Sequence, residues 1–240
     1  MDDELQKLIS NYQPTEKTVE LVKSVPKVFV VGISGAGKNT ILRKVVESGK
    51  YREIVSQTTR PQRENAGKLE VDGKEYFFID KPRAIEMLKN HDFVEAKWIH
   101  RQTLSGTTAS EFQKASEEGK IAIADIDVHG VEEYMKLSPD NTTSIFILPP
   151  DFDTWEKRFK ARYEGHVGRG DFQARLHSAA QEIEHVLSKD YFSIIINDNL
   201  DDAVTQVLSI ANGEPQSDHA WRHGSKVAHE LLEAMRSSTR

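Results

Sequence analysis

The residues best suited to chemistry are Gly32, Gly37 and Lys38, which stand at G-x-x-x-x-G-K spacing inside the stretch GISGAGKNT. That spacing suits a loop whose backbone N–H groups turn inward onto phosphate oxygens, with the lysine adding a full positive charge. The N-terminus of a following helix adds partial positive charge to the same place. The whole stretch Gly32, Ile33, Ser34, Gly35, Ala36, Gly37, Lys38, Asn39 and Thr40 is therefore a candidate phosphate cradle. A loop of this type usually carries Ser or Thr after the lysine, to hold Mg²⁺ through its hydroxyl. Here the position is Asn39. A dinucleotide-binding G-x-G-x-x-G is absent, which sets that alternative aside.

Further candidates lie downstream. Arg60 and Arg63 flank Pro61, which forbids a regular helix between them. Two guanidiniums on such a turn can converge on one anion. Asp125 and Asp127 close an apolar run at residues 121–127. Acids at the C-terminal end of a parallel strand face the ligand side of an α/β sheet. They alternate sides of an extended chain, so one suits Mg²⁺ and the other a substrate; capping of the next helix by Asp127 is the plainer alternative. Arg158 and Arg162 are one helical turn apart. Arg175 follows on a second helix after the break GHVGRG, where Arg169 is a further candidate. Two basic helices about a glycine-rich hinge suit a lid that brings arginines to a transferring phosphate.

These residues need a frame to hold them. An apolar run at residues 28–31 precedes the loop, and Ile41, Leu42, Val45 and Val46 repeat at helical spacing after it. The order is strand, turn, helix, with Gly49 as the C-terminal stop. Strands are also predicted at 76–79, 93–99, 121–127, 143–148 and 192–196. Helices are predicted at 82–90, 110–118, around Trp155 and Phe159, over 172–186, and from the cap 197–199 to about 211. Residues 64–75 are predicted as loop. The closely spaced short strands before residue 108 suggest a small mixed sheet inserted into a larger α/β frame. Residues 1–26 are expected to form short packing helices, and 213–240 a linker ending in a short helix at 227–235. His185, His219, His223 and His229 lack regular ligand spacing, so docking or oligomer contact is the expected use of that C-terminal segment.

Bulk properties agree with such a frame. The 240 residues carry a net charge of −6, with 38% hydrophobic and 29% charged residues, which suits a globular protein and argues against a general nucleic-acid binder. With no cysteine, disulfides and cysteine-ligated metals are excluded, and a cytoplasmic setting is expected. No apolar run approaches a membrane span, and the acidic N-terminus is not a secretory signal.

Taken in order, GISGAGKNT, VSQTTRPQR, VDGKEYFFI, FVEA, SGT, IAIADIDVHGV, IFILPP, the R-x-x-x-R at Arg158 and Arg162, RLHSAAQEIEH and INDNLDDAV resemble guanylate kinases over about residues 27–210. The resemblance implies a three-layer P-loop NTPase fold: a central parallel sheet, an inserted mixed-β nucleotide-binding subdomain near 59–108, and a helical lid near 153–187. It implies ATP at the glycine loop and Mg²⁺ near Asn39 and Asp125. By it, Arg60, Arg63 and Tyr76 would hold the GMP phosphate. Ser56, Glu95 and Asp127 would read the guanine edge beside Thr107, with Asp125 also near the substrate. Lys38, Arg158, Arg162 and Arg175 would carry the phosphoryl transfer, in a monomer or homodimer. Three features depart from the family pattern: Asn39, Ser105 where a phosphate-binding tyrosine is expected, and an extended loop at residues 68–71. The first two motivate an alternative, a non-catalytic binding module that uses the former GMP pocket. A phosphosugar kinase is a third option, disfavoured by Glu95 and Asp127.

Overall fold

The computed structural model describes residues 2–65, 68–99, 102–162 and 169–238; the side chains at 65, 68, 162 and 169–171 also lie outside the description. Along the chain come helices α1 (Asp2–Ser10) and α2 (Glu16–Ser24), strand β1 (Lys27–Gly32), α3 (Lys38–Glu47), and the short strands β2 (Tyr51–Glu53), β3 (Gln57–Thr58), β4 (Glu64–Asn65), β5 (Lys68–Leu69) and β6 (Phe77–Phe78). Then follow α4 (Lys81–Lys89), β7 (Phe93–Ile99), β8 (Thr103–Thr108), α5 (Ala109–Glu117), β9 (Ile121–Asp125), α6 (Val128–Leu137) and β10 (Thr142–Leu148). The chain ends with α7 (Phe152–Arg162), α8 (Arg169–Leu187), β11 (Phe192–Ile196), α9 (Leu200–Ala211) and α10 (Asp218–Ser238).

Five strands form a parallel central sheet in the order β11-β10-β1-β9-β2. Every residue of β1 is buried, as expected for a parallel strand covered on both faces. Its register with β10 runs from Lys27 opposite Thr142 to Gly32 opposite Ile147. A second, mixed sheet has the order β6-β3-β8-β7. The chain divides into two compact units, 1–26 with 52–122, and 27–51 with 123–240.

In the unit holding the mixed sheet, α1 is part of the core. Leu5 is fully buried with Ala84, Met87, Leu88, Phe93 and Leu104. The Tyr12 hydroxyl donates to the Phe93 carbonyl at 2.6 Å. Asp80 caps α4 by accepting from the Arg83 amide at 2.8 Å, the role its position before Lys81-Pro82 predicts.

In the other unit, α10 is much longer than the segment predicted at 227–235. It runs 21 residues and buries Val227, Ala228, Leu231, Leu232 and Met235. It lies close on β11: a Cβ on Gly224 would sit 2.8 Å from Ile194 Cγ2. Just before it, the Gln216 amide bonds both the N–H and the C=O of Ile194, at 3.0 and 2.6 Å. One side chain thus covers part of an edge strand that would otherwise present unpaired backbone groups. The sequence reading starts this helix nine residues late, because its 3.6-residue stripe is interrupted by Gly224 and polar residues.

Other boundaries also shift. Within the predicted loop at 64–75, Glu64–Asn65 and Lys68–Leu69 pair as the antiparallel strands β4 and β5. The strand predicted at 76–79 narrows to Phe77–Phe78. β9 stops at Asp125, so Asp127 is a helix cap and not a strand residue. The 93–99 strand holds as predicted.

Candidate functional site

The glycine loop lies in the unit built on β1. Gly37 has φ +90°, and a Cβ there would fall 2.3 Å from Asn197 Nδ2. Gly32 leaves room for Ile147, whose carbonyl oxygen would lie 2.3 Å from an added Cβ. Both positions therefore demand glycine on space as well as on backbone conformation. Gly37 also precedes α3 with no side-chain cap, which leaves the helix N-terminus available to an anion.

The loop is pinned from outside. Trp155 Nε1 donates to the Ser34 carbonyl at 2.8 Å, and Asn197 Nδ2 donates to the Ala36 carbonyl at 2.8 Å. Asn197 is itself held, its N–H on Leu148 O at 2.7 Å and its carbonyl accepting from Arg158 Nη1 at 2.8 Å. The sequence assigned Asn197 to the cap of α9. That cap is Asn199, which accepts from the amides of Asp201 and Asp202. Asn197 instead fixes the phosphate loop, and its one sequence signal is an amide directly after a buried strand.

Lys38 Nζ donates to the Gly32 carbonyl at 2.5 Å and lies 4.0 Å from Asp125 Oδ2. Asp127 caps α6, its Oδ1 accepting from the Gly130 amide at 2.8 Å. The plainer reading of Asp127 is thus realised in the structure. Beside these stands an acid the sequence analysis missed. The Glu182 carboxyl is pushed up to about 7, first by burial, with Asp125 and Asp127 raising it and Lys38 and Arg175 opposing. Its signal was a glutamate on the apolar stripe of α8, one turn after Ala179 and beside Ile183.

Helices α7 and α8 meet through Trp155, Phe159 and Phe172, with ring centroids 5.5–5.8 Å apart. Arg158 is on this scaffold and Arg175 is exposed on α8. The side chains of Arg162 and Arg169, and the hinge residues up to 168, lie outside the described residues.

Magnesium was expected near Asn39 and Asp125. The donor set there is an exposed amide and a carboxylate beside the loop lysine. Hard oxygen donors with water access suit Mg²⁺, which commonly takes one or two protein oxygens and completes its shell with water and substrate phosphate.

The second set of residues lies in the mixed-sheet unit. Glu95 is opposite Thr107 across β7 and β8. Glu95 Oε1 accepts from the Thr107 amide at 3.1 Å, and the Thr107 and Ser56 hydroxyls are 3.2 Å apart. Ser56, Thr107 and Glu95 therefore form one connected polar row. Arg60 forms a bidentate pair with Glu70, at 2.5 and 2.8 Å, with its guanidinium 4.8 Å from the Tyr76 ring centroid. Glu70 Oε2 also accepts from the Arg63 amide at 2.9 Å. This pairing holds the Glu70 carboxyl below its ordinary value and Arg60 above its own. Glu70 falls in the extended loop and was not singled out by sequence; it orients Arg60 over Tyr76. The Arg63 side chain is exposed. Ser105 on β8 is opposite Thr58 and Lys97.

A parallel sheet whose first strand runs through a glycine loop onto a lysine at a helix N-terminus defines a P-loop phosphate-binding protein. Comparison with known proteins narrows the class. The guanylate kinase family model matches residues 25–214. The guanylate kinase of Zymomonas mobilis is 34% identical over 183 residues, covering 75% of this chain and 80% of that protein. That of Thermotoga maritima is 35% identical over 190 residues, covering 78% and 87%. The crystal structure of guanylate kinase from Anaplasma phagocytophilum superposes with a TM-score of 0.59 at 25% identity, covering 82% of this chain and 89% of that one. The chain belongs to the guanylate kinase family.

Proposed function

We propose that the protein transfers the γ-phosphoryl group of ATP to GMP, yielding ADP and GDP. The observation that carries this reading is the row Ser56–Thr107–Glu95. Guanine presents N1–H and N2–H₂ donors, which a carboxylate accepts, and an O6 acceptor, which a hydroxyl satisfies. Adenine in the same place would leave buried acceptors unpaired, a mismatch that such sites reject strongly.

In this reading Arg60, Arg63 and Tyr76 hold the GMP phosphate. Arg60 would do so by exchanging Glu70 for the stronger anion or by sharing itself between the two. Residues 32–40 bind the ATP phosphates through backbone amides, and Lys38 leaves the Gly32 carbonyl to take up phosphate charge. Arg158, Arg162 and Arg175 neutralise the transferring group. We assign the acceptor-binding subdomain to about 59–108 and the lid to about 153–187. Asn39 and Asp125 would hold Mg²⁺, which would withdraw charge from the ATP phosphates. Positioning and charge neutralisation suffice for in-line transfer.

The test is a coupled assay with ATP, Mg²⁺ and a panel of nucleoside monophosphates. GMP should be turned over well above AMP, CMP and UMP. No preference for GMP would defeat the proposal, and calorimetry finding no ATP binding would favour a non-catalytic module. Among the described residues no helix is long and apolar enough to cross a membrane.

A further inference from the structure

We propose that His129, Glu132 and His185 form a binding site for a zinc-type divalent metal that pins α6 to α8. Among the described residues they are the one group of three whose candidate ligand atoms all lie within 4.8 Å of one another. His129 and Glu132 are one turn apart on α6, on the same face. His185 comes from the last turn of α8. The two imidazoles meet edge to face with centroids 4.8 Å apart. His185 Nε2 lies 3.8 Å from Glu132 Oε2.

The arrangement has a specific deficiency that a metal would correct. His185 Nε2 is buried and has no hydrogen-bond partner, although buried polar atoms are nearly always paired. Burial, followed by His129, holds the His185 pKa below its ordinary value. A neutral imidazole at this position keeps a lone pair, the form that ligates metal. Lys136 and Lys189 approach Glu132 Oε1 at 3.1 and 3.4 Å, while Oε2 is the oxygen turned to His185. These lysines oppose a cation, but Lys136 is 72% exposed and can swing into water.

The dimensions fit after a small adjustment. Three atoms within 4.8 Å of one another leave a central point no more than about 2.8 Å from each, and closing each by ~0.7 Å reaches zinc–nitrogen and zinc–oxygen bond lengths. Two imidazoles and one carboxylate prefer Zn²⁺, Co²⁺ or Ni²⁺ over Mg²⁺, and three protein ligands leave a position for water. The site is thus distinct in chemistry from the oxygen donors Asn39 and Asp125. A metal here would anchor the helix that carries Arg175 and Glu182 to the helix that begins at the Asp127 cap.

The test uses the full chain without an affinity tag. Zn²⁺ binding is measured by competition with a chromophoric chelator, and Co²⁺ substitution by visible d–d absorption. The expected result is one equivalent of Zn²⁺ that excess Mg²⁺ does not displace. His129→Ala, at an exposed position, and His185→Gln should each weaken binding by more than about tenfold. Lys189→Ala should tighten it. The control pair His219→Ala with His223→Ala, on α10, should leave it unchanged. The proposal fails if no Zn²⁺ binds or if binding survives His129→Ala and His185→Gln. It also fails if the signal disappears only with His219 and His223, or if Lys189→Ala leaves affinity untouched.

Discussion

Replacing Glu95 by Gln separates the guanine-reading role proposed for its carboxylate from its structural duty. In the native protein Glu95 Oε1 accepts from the Thr107 amide at 3.1 Å. A glutamine carbonyl can keep that bond, so the β7–β8 pairing should survive. The second oxygen becomes an NH₂ group, which offers donors to the donors of guanine. A hydrogen bond to a charged group contributes roughly 1.5–3 kcal/mol, so kcat/KM for GMP should fall about 10- to 150-fold at ~1.4 kcal/mol per decade. The loss should appear mainly in KM for GMP, with KM for ATP unchanged, because the glycine loop proposed to bind ATP belongs to the other unit. The preference for GMP over AMP should shrink by a similar factor. Steady-state kinetics with both acceptors, alongside thermal melting, would check this. If GMP kinetics stay within about threefold of wild type and discrimination is intact, Glu95 does not read the base. If the melting temperature collapses, its role is structural.

Gly37→Ala should destabilise the protein by about 1–3 kcal/mol, because it puts a Cβ 2.3 Å from Asn197 Nδ2 at φ +90°; urea unfolding would measure it, and a neutral result would contradict the loop geometry. Glu182 sits at about 7 against 4.5 unfolded, so its contribution to stability is full below pH 4.5 and is lost as pH rises through 7. That loss is about 3 kcal/mol at most, and Glu182→Gln should flatten it. Lys27 is buried, donates to Ser138 Oγ at 3.2 Å and to the Asn141 carbonyl at 3.1 Å, and is pushed down by burial to about 8 from 10.5. The unfolded chain holds this proton more tightly, so stability should rise by up to about 3 kcal/mol between pH 8 and 10.5. Lys27→Met should lack that rise, and equal slopes in both proteins would refute the assignment.

Much of the site was legible because its signals are local. The glycine spacing and the apolar run before it identify the loop, and Pro61 marks the arginine turn. The stretch at residues 93–99 predicts β7. Residues whose role depends on distant partners were not legible. Asn197 bonds Ala36 from 161 residues away, and nothing near it in the chain hints at that. Glu70 reads as one acid in a polar loop until the pairing of β4 with β5 and its bonds to Arg60 give it a partner. Glu182 looks like an ordinary helix glutamate until its burial near Lys38 and Asp125 changes its proton affinity.

By itself, the sequence determined a strand–loop–helix phosphate cradle, a cysteine-free α/β protein and, through the order of its motifs, the resemblance to guanylate kinases. Periodicity and steric rules act over a few residues, so these follow from neighbours in the chain. Only the tertiary structure decided that Ser56, Thr107 and Glu95 form one row across separations of 51 and 12 residues. It also decided that α10 belongs to the core and that His129, Glu132 and His185 meet. Burial and hydrogen-bond geometry are properties of elements packed together, and no stretch of sequence states them alone.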